Sequence, residues 1–353
     1  MEKGVLPLPL RTQMPTSATM SAAALSDRLG RPLHDLRVSV LDACNFRCSY
    51  CMPAHRDYTF LKSEELLGFA EIERLARLFV ALGTRKLRLT GGEPLLRRGL
   101  CELVERLAPI EGAADLCLTT NGLLLAPLAR SLKEAGLQRI TVSLDSLDES
   151  RFRELSGGRG ELGRVLEGIE AAADAGLAVK LNAVIRRGRN DRDVPALAAY
   201  ARASGRSVRF IEYMDVGTLN DWRPEDVVAS GEILAILRER YQLVPLAADY
   251  YGEVAQRFAF ADGAGEIGFI SSVSQPFCGS CTRARLAADG RFYTCLFAAT
   301  GLDLKGPLRA GCGDEELLEL IRARWTRRED RYSELREERV KAPQRVEMFR
   351  IGG

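Results

Sequence analysis

The chain has no long apolar run, no excess charge of one sign, and no fourth cysteine beside either of its two cysteine groups. Each absence excludes something. No stretch approaches the roughly 18 consecutive apolar residues of a membrane-spanning helix. Lys and Arg total 50 against 48 Asp and Glu, a net charge of +2, so no bulk attraction to nucleic acid or to an anionic membrane is expected. Residues 1–22 lack the apolar core of a secretion signal, and only Lys3 and Arg11 there are basic, which argues against a transit peptide. Residues 1–25 are expected to form a mobile extension, with Met14 and Met20 as alternative starts. Nine cysteines in a large chain of this kind do not read as a disulfide framework. Metal binding in a reducing compartment, the cytoplasm, fits better.

What remains is an ordinary globular composition, 46% hydrophobic and 28% charged over 353 residues. That length suits two domains or one large barrel with an appendage. Residues 36–41, 86–90, 115–120, 139–145, 179–185 and 208–214 read as strands. Helical patterns separate most of them. The stretch 63–83 has Ser63 as its expected N-cap and Gly83 as its stop; 127–136 and 162–176 end at Gly136 and Gly176. Strand, helix and glycine in alternation predict parallel βα units with right-handed crossovers.

These strands are too polar for the usual buried parallel type. By the two-residue period, Lys86, Arg88 and Thr90 share a face, as do Cys117 with Thr119, Thr141 with Ser143 and Asp145, and Lys180 with Asn182. Strand ends near water would account for this. So would an open barrel whose interior holds a polar, anionic ligand. Beyond residue 215 the pattern changes: a helix at 230–241, short strands with Asp-Gly turns at 262–263 and 289–290, a late helix at 314–325, and a charged stretch at 326–345 read as a solvated or flexible segment.

Cys44, Cys48 and Cys51 follow the first strand at CxxxCxxC spacing, at the carboxyl end of the sheet where α/β proteins place ligands. Thiolates select zinc, Cu(I) or iron–sulfur clusters, and structural zinc wants four ligands. A zinc loop completed by a distant residue such as His55, or buried structural thiols, fits the trio alone. A four-iron cluster with three cysteines leaves one iron open to an external chelator. After the second strand, TGGEP (90–94) offers two glycines for close backbone approach to a ligand, and Glu93 to accept from an ammonium group.

CxxxCxxC, with Tyr50 before its third cysteine, and GGEP together resemble the radical S-adenosylmethionine superfamily. That resemblance implies an incomplete (β/α)6 TIM-like barrel with a C-terminal α+β extension. It also implies a [4Fe–4S] cluster whose open iron chelates S-adenosylmethionine, which on one-electron reduction yields a 5′-deoxyadenosyl radical.

The second group, Cys278, Cys281 and Cys295, again provides three thiolates. Cys312 is an alternative fourth ligand. A thioredoxin-like CxxC belongs at an early helix start rather than beside a late hairpin. Arg283 and Arg285 point the same way on an extended strand and suit phosphates or carboxylates. With both cysteine groups, LTTNG, TVSLDS, VRFIEYMDVG and the terminal Gly-Gly in order, residues 30–353 are similar to the GTP 3′,8-cyclase family of molybdenum cofactor biosynthesis.

This narrower resemblance implies two [4Fe–4S] clusters with GTP between them, bound through Arg37, Arg88, Thr119, Lys180, Arg283 and Arg285. S-Adenosylmethionine is then contacted by Tyr50, Gly92, Ser143 and Met214, and a tail carries Gly352 and Gly353 into the pocket. Arg209, placed on the opposite strand face from Met214, is read as structural. The implied organisation is an extension (1–25), a barrel (26–245), a second-cluster region (246–340) and a tail (341–353). The implied partners are an electron donor such as flavodoxin or ferredoxin and, downstream, cyclic pyranopterin monophosphate synthase, with no nucleic acid, no membrane, and a monomer or homodimer.

Overall fold

All six expected strands form, and side-chain alternation explains why they share one sheet. In the computed structural model, which describes residues 25–336 and 345–353, they are β1 (Asp35–Ser39), β2 (Lys86–Thr90), β3 (Asp115–Thr120), β4 (Arg139–Ser143), β5 (Ala178–Ile185) and β6 (Ser207–Glu212). Leu36, Val38, Leu87, Leu89, Leu116, Leu118, Ile140, Val142, Leu181 and Ala183 are buried, most of them completely. They carry the outward face against helices such as Phe69–Ala81 and Leu162–Asp174. The alternate residues, the polar ones, face inward.

The later strands are β7 (Leu243–Pro245), β8 (Gln256–Phe260), β9 (Glu266–Ile270), β10 (Arg283–Leu286), β11 (Arg291–Tyr293) and β12 (Leu302–Asp303). One sheet contains all twelve, in the order β12-β11-β10-β1-β2-β3-β4-β5-β6-β9-β8-β7. The neighbours β10 and β9 run parallel to β1 and β6, which extends the parallel run at both edges. They do not pair with each other, so the barrel stays open on that side. This is the partial TIM-like architecture expected.

Both Asp-Gly pairs turn hairpins, between β8 and β9 and between β10 and β11. The expected Ser63 N-cap does not hold. Ser63–Glu65 is a single 3-10 turn and the α-helix begins only at Phe69. The Leu67 N–H donates to Ala288 O at 2.8 Å, which ties this segment to the turn after β10. A continuous helix could not make that bond. The helix starts afresh at Gly68, whose N–H donates to Glu71 Oε2 at 2.6 Å.

Residues 1–24 and 337–344, including most of the expected extension and part of the charged stretch, lie outside the described residues. Among the described residues no helix is long and apolar enough to cross a membrane.

Candidate active site

The parallel run has two open ends, and the register decides what lies at each. Cys44, Cys48 and Cys51 follow β1, at the carboxyl ends of the strands. The second group sits at the other end. Arg283 pairs with Asp35 at the start of β1, so Cys278 and Cys281, just before β10, lie at the amino ends. Antiparallel β11 returns the chain there, because Tyr293 pairs with Arg285, and Cys295 follows. All six sulfur residues line the same cavity.

No trio closes on single-ion geometry among the described residues. Cys101, Cys117 and Cys312 do not line the cavity, so neither group finds a fourth cysteine there. His55 is exposed beside Asp221 and does not line it either. A one-ion zinc loop is therefore disfavoured, and three spaced thiolates per site fit a polynuclear cluster with one iron free of protein. N–H donors toward sulfur support that fit. Arg283 Nε and an NH2 group approach Cys281 Sγ at 3.3 and 3.2 Å, and Phe297 N approaches Cys295 Sγ at 3.5 Å. Burial pushes Cys44 up to about 11 and Cys295 up to about 12, so metal binding must displace protons from these thiols. Burial also raises Cys281, but Arg283 and Arg328 outweigh it and hold that thiol at about 6.

At the first end, Gly91 and Gly92 let β2's exit loop cross the cysteine loop. A Cβ at Gly92 would lie 2.2 Å from Ala43 O, and one at Gly91 2.3 Å from Leu41 O. The pair admits a backbone crossing as well as lining the cavity. Glu93 is buried and accepts from Thr120 Oγ1 (2.7 Å), Asn121 N (2.7 Å) and Leu95 N (2.9 Å). Burial lifts it to about 7 despite those donors. Tyr50 Oη donates to Asp145 Oδ2 at 2.7 Å, and Asp145 Oδ1 also accepts from Val184 N. Ser143 and Met214 line the cavity at this end.

Midway lies a belt of positive charge. Arg285, Arg37 and Arg88 pair in register across β10, β1 and β2, all facing inward. Neighbouring strands are about 4.8 Å apart. Two unit charges about 5 Å apart repel by about 3 kcal/mol at an effective dielectric of about 20. Burial, then Arg285 and Arg88, drives Arg37 well below the usual arginine range. The guanidinium stays charged; the shift expresses first its burial and then repulsion from the neighbouring arginines, which Asp35 only partly offsets. Arg88 donates to Thr119 Oγ1 (2.7 Å) and Thr141 Oγ1 (3.2 Å). Neither Arg37 nor Arg209 has a hydrogen-bond acceptor among the described residues.

Three placements differ from the sequence reading. Arg209 lines the cavity. β6 ends at Glu212, so the two-residue period does not carry to Met214 and the parity that made Arg209 structural has no force. Lys180, by contrast, is not among the lining residues, although burial and Arg209 lower it to about 8. Arg283 stacks over Phe277 at 4.8 Å and turns its nitrogens to Cys281 rather than to open space. Gly353 lines the cavity, and Arg285 donates to Gly352 O. A Cβ on Gly352 would lie 2.2 Å from Thr90 Cγ2.

Sequence reasoning missed Arg31 and Arg328. Arg31 donates to Cys278 O at 2.7 Å, Arg328 donates to Cys281 O at 2.7 Å, and both pair with buried Asp27. They hold the second cysteine loop from far away in the chain, and no local motif marks them.

The geometry agrees with the relationships. Residues 38–201 match the radical SAM superfamily and residues 206–334 match a family described as Molybdenum Cofactor Synthesis C. A GTP 3′,8-cyclase of Xanthomonas campestris pv. campestris is 55% identical over 338 residues, 95% of this chain and 99% of its own. Those of Acidothermus cellulolyticus (53%, covering 88% of each chain) and Staphylococcus epidermidis (46%, covering 88% and 93%) carry the same name. With so much of its length shared at such identity, this chain belongs to the GTP 3′,8-cyclase family of the radical SAM superfamily.

Proposed function

We infer that this chain is a radical S-adenosylmethionine lyase that converts GTP to (8S)-3′,8-cyclo-7,8-dihydroguanosine 5′-triphosphate in molybdenum cofactor biosynthesis. One observation carries the reading: two three-cysteine groups face each other through one cavity across a belt of arginines whose charges nearby carboxylates such as Asp35 and Glu253 only partly offset. Cys44, Cys48 and Cys51 would hold one [4Fe–4S] cluster with S-adenosylmethionine, and Cys278, Cys281 and Cys295 a second; the first would supply one-electron radical chemistry for hydrogen removal at ribose C3′, and the second an open iron for the guanine edge.

The chain's own residues do the rest. Arg37, Arg88, Arg285 and Arg209 meet the triphosphate with charge-assisted bonds, each worth roughly 1.5–3 kcal/mol. Thr119 orients Arg88 and adds a hydroxyl. Lys180 adds a charge near the amino ends of the strands, and Arg283 serves the second group and the nucleotide together. Tyr50, Gly92, Ser143 and Met214 contact the sulfonium cofactor. Gly352 and Gly353 complete the pocket around the reacting ribose. Closing C3′ onto C8 demands that the ribose and base be held together, which anchoring at the triphosphate and the guanine edge achieves.

Residues 26–245 supply the cofactor end, 246–340 the guanine end and 341–353 the tail. The enzyme works in the cytoplasm as a monomer or homodimer, takes electrons from a flavodoxin or ferredoxin, and passes its product to cyclic pyranopterin monophosphate synthase. The test is anaerobic turnover of GTP deuterated at C3′. Deuterium is expected in 5′-deoxyadenosine, with a cyclised triphosphate as product and about eight irons per chain, two four-iron clusters. Cyclised product without deuterium transfer, or 5′-deoxyadenosine without GTP consumption, overturns the assignment.

A further inference from the structure

The tail does not simply end in the cavity; it is fastened on the way in. The Glu347 carboxylate accepts two bonds on one oxygen, from Thr218 N at 2.8 Å and Thr218 Oγ1 at 2.7 Å. Its other oxygen lies against Gly217, where a Cβ would be only 2.0 Å away and where φ is +65°. Gly217 and Thr218 sit on the loop that leaves β6 and carries Met214. Two residues on, Phe349 is buried and meets Tyr58 edge-on at 5.5 Å and Phe60 at 6.4 Å. Those rings stand on the chain just beyond the first cysteine group. From this seat the short helix Met348–Ile351 delivers Gly352 beside Thr90 and Ser39, with its carbonyl on Arg285.

We propose that Glu347 is a positioning residue for the cyclisation: gripped by Thr218 and admitted by Gly217, it seats the tail so that the terminal glycines reach the substrate pocket. This rests on the part given to the tail under the function proposed above. The physical argument is one of leverage. The contacts of Gly352 with Arg285 and Thr90 are few, and a terminus held only by them would fray. The Glu347 grip and the Phe349 contacts order the tail before it enters, which lowers the entropy lost when it meets substrate. The grip ties the tail to the Met214 loop, so the tail's position follows the loop at the cofactor end.

The experiment uses the full chain and two independent readouts. The first is amide hydrogen exchange of residues 346–353 in the protein as isolated. Glu347→Ala should speed exchange at least tenfold. Gly217→Ala, which pushes the carboxylate away from the opposite side, should do the same. Glu347→Gln keeps a carbonyl oxygen for both Thr218 donors and should stay within about twofold of the parent. The second readout is the ratio of cyclised GTP to 5′-deoxyadenosine in the reconstituted enzyme. It should fall at least tenfold in Glu347→Ala and Gly217→Ala and recover in Glu347→Gln, with 5′-deoxyadenosine formation unchanged in all three and melting temperature unchanged in Glu347→Ala; at φ +65°, Gly217→Ala also adds backbone strain and should lower its melting temperature somewhat. Unchanged exchange in Glu347→Ala overturns the proposal. So does equal loss of melting temperature and of both products, which would mark a merely structural contact. If the parent itself cyclises no GTP, the functional assignment fails, and the exchange rates still decide the seat.

Discussion

The two cysteine loops face one another through a single cavity, yet their surroundings are electrostatic opposites. At the carboxyl ends, burial and then a carboxylate push sulfurs upward: Glu93 acts on Cys44 and Asp145 on Cys48. At the amino ends, the cations Arg283 and Arg328 pull Cys281 down to about 6 against burial, although Cys295, next to Asp330, stays high. The acidic end suits a ligand that carries a sulfonium and an ammonium. The basic belt and the basic end suit a triphosphate. The polarity of the cavity would therefore sort two ligands of opposite charge, with side chains that are not themselves the cysteine ligands.

The largest expected effect breaks the pair into its halves. Ala at Cys44, Cys48 or Cys51 should abolish 5′-deoxyadenosine formation, whereas Ala at Cys278, Cys281 or Cys295 should abolish GTP cyclisation and leave S-adenosylmethionine cleavage. Each set should lower iron from about eight to about four per chain. Identical phenotypes from both sets would erase the division of labour.

Next comes the support of the basic end. Arg328→Ala leaves Asp27 and the Cys281 carbonyl short of a buried partner. Breaking a buried pair costs about 3–5 kcal/mol. Denaturation of the metal-free chain should register that loss, and reconstitution should load the first site in preference to the second.

The belt is tested by Arg37→Ala. GTP affinity should weaken roughly 10- to 100-fold, equivalent to one charge-assisted contact, while S-adenosylmethionine affinity holds. Calorimetric titration of both ligands separates the outcomes, and equal losses would show that charge does not sort them.

Lys180 gives the pH dependence. Burial, then Arg209, depresses its ammonium to about 8 from the usual 10.5. The sign follows: below about 8 the cation is present and, although it does not line the cavity, adds to the positive field that favours phosphate; above about 8 that contribution is lost. KM for GTP should therefore rise up to about tenfold between pH 7 and pH 9.5, about 1.4 kcal/mol. Lys180→Arg should flatten that rise. The smallest effect belongs to Thr119→Val, which frees one Arg88 bond of about 1 kcal/mol; a several-fold increase in KM without change in kcat is expected.

Much of this was legible in the chain because it depends on near neighbours. The six strands and the inward Lys86, Arg88 and Thr90 followed from a two-residue period, and both hairpins from Asp-Gly pairs. The period misled where a strand ended early, as at Arg209, and where a long side chain on the inner face stopped short of the cavity, as at Lys180. Gly91 and Gly92 read, in sequence, as room for backbone to approach a ligand. Contacts with Leu41 and Ala43 add a backbone crossing that no local pattern encodes. The helix start moved from Ser63 to Gly68 because a distant carbonyl, Ala288 O, captured the intervening turn.

Spacings of a few residues set how many sulfurs each site offers and which strand faces are polar, so both can be read from the chain alone. That the two sites oppose each other is a long-range outcome. That depends on β10 lying parallel beside β1, a pairing joined by Thr282 and Asp35 across 247 residues. Such a register is chosen by what it buries and by which backbone groups it satisfies, not by any signal carried within either segment. The fastening of the tail by Thr218, 129 residues from Glu347, has the same origin.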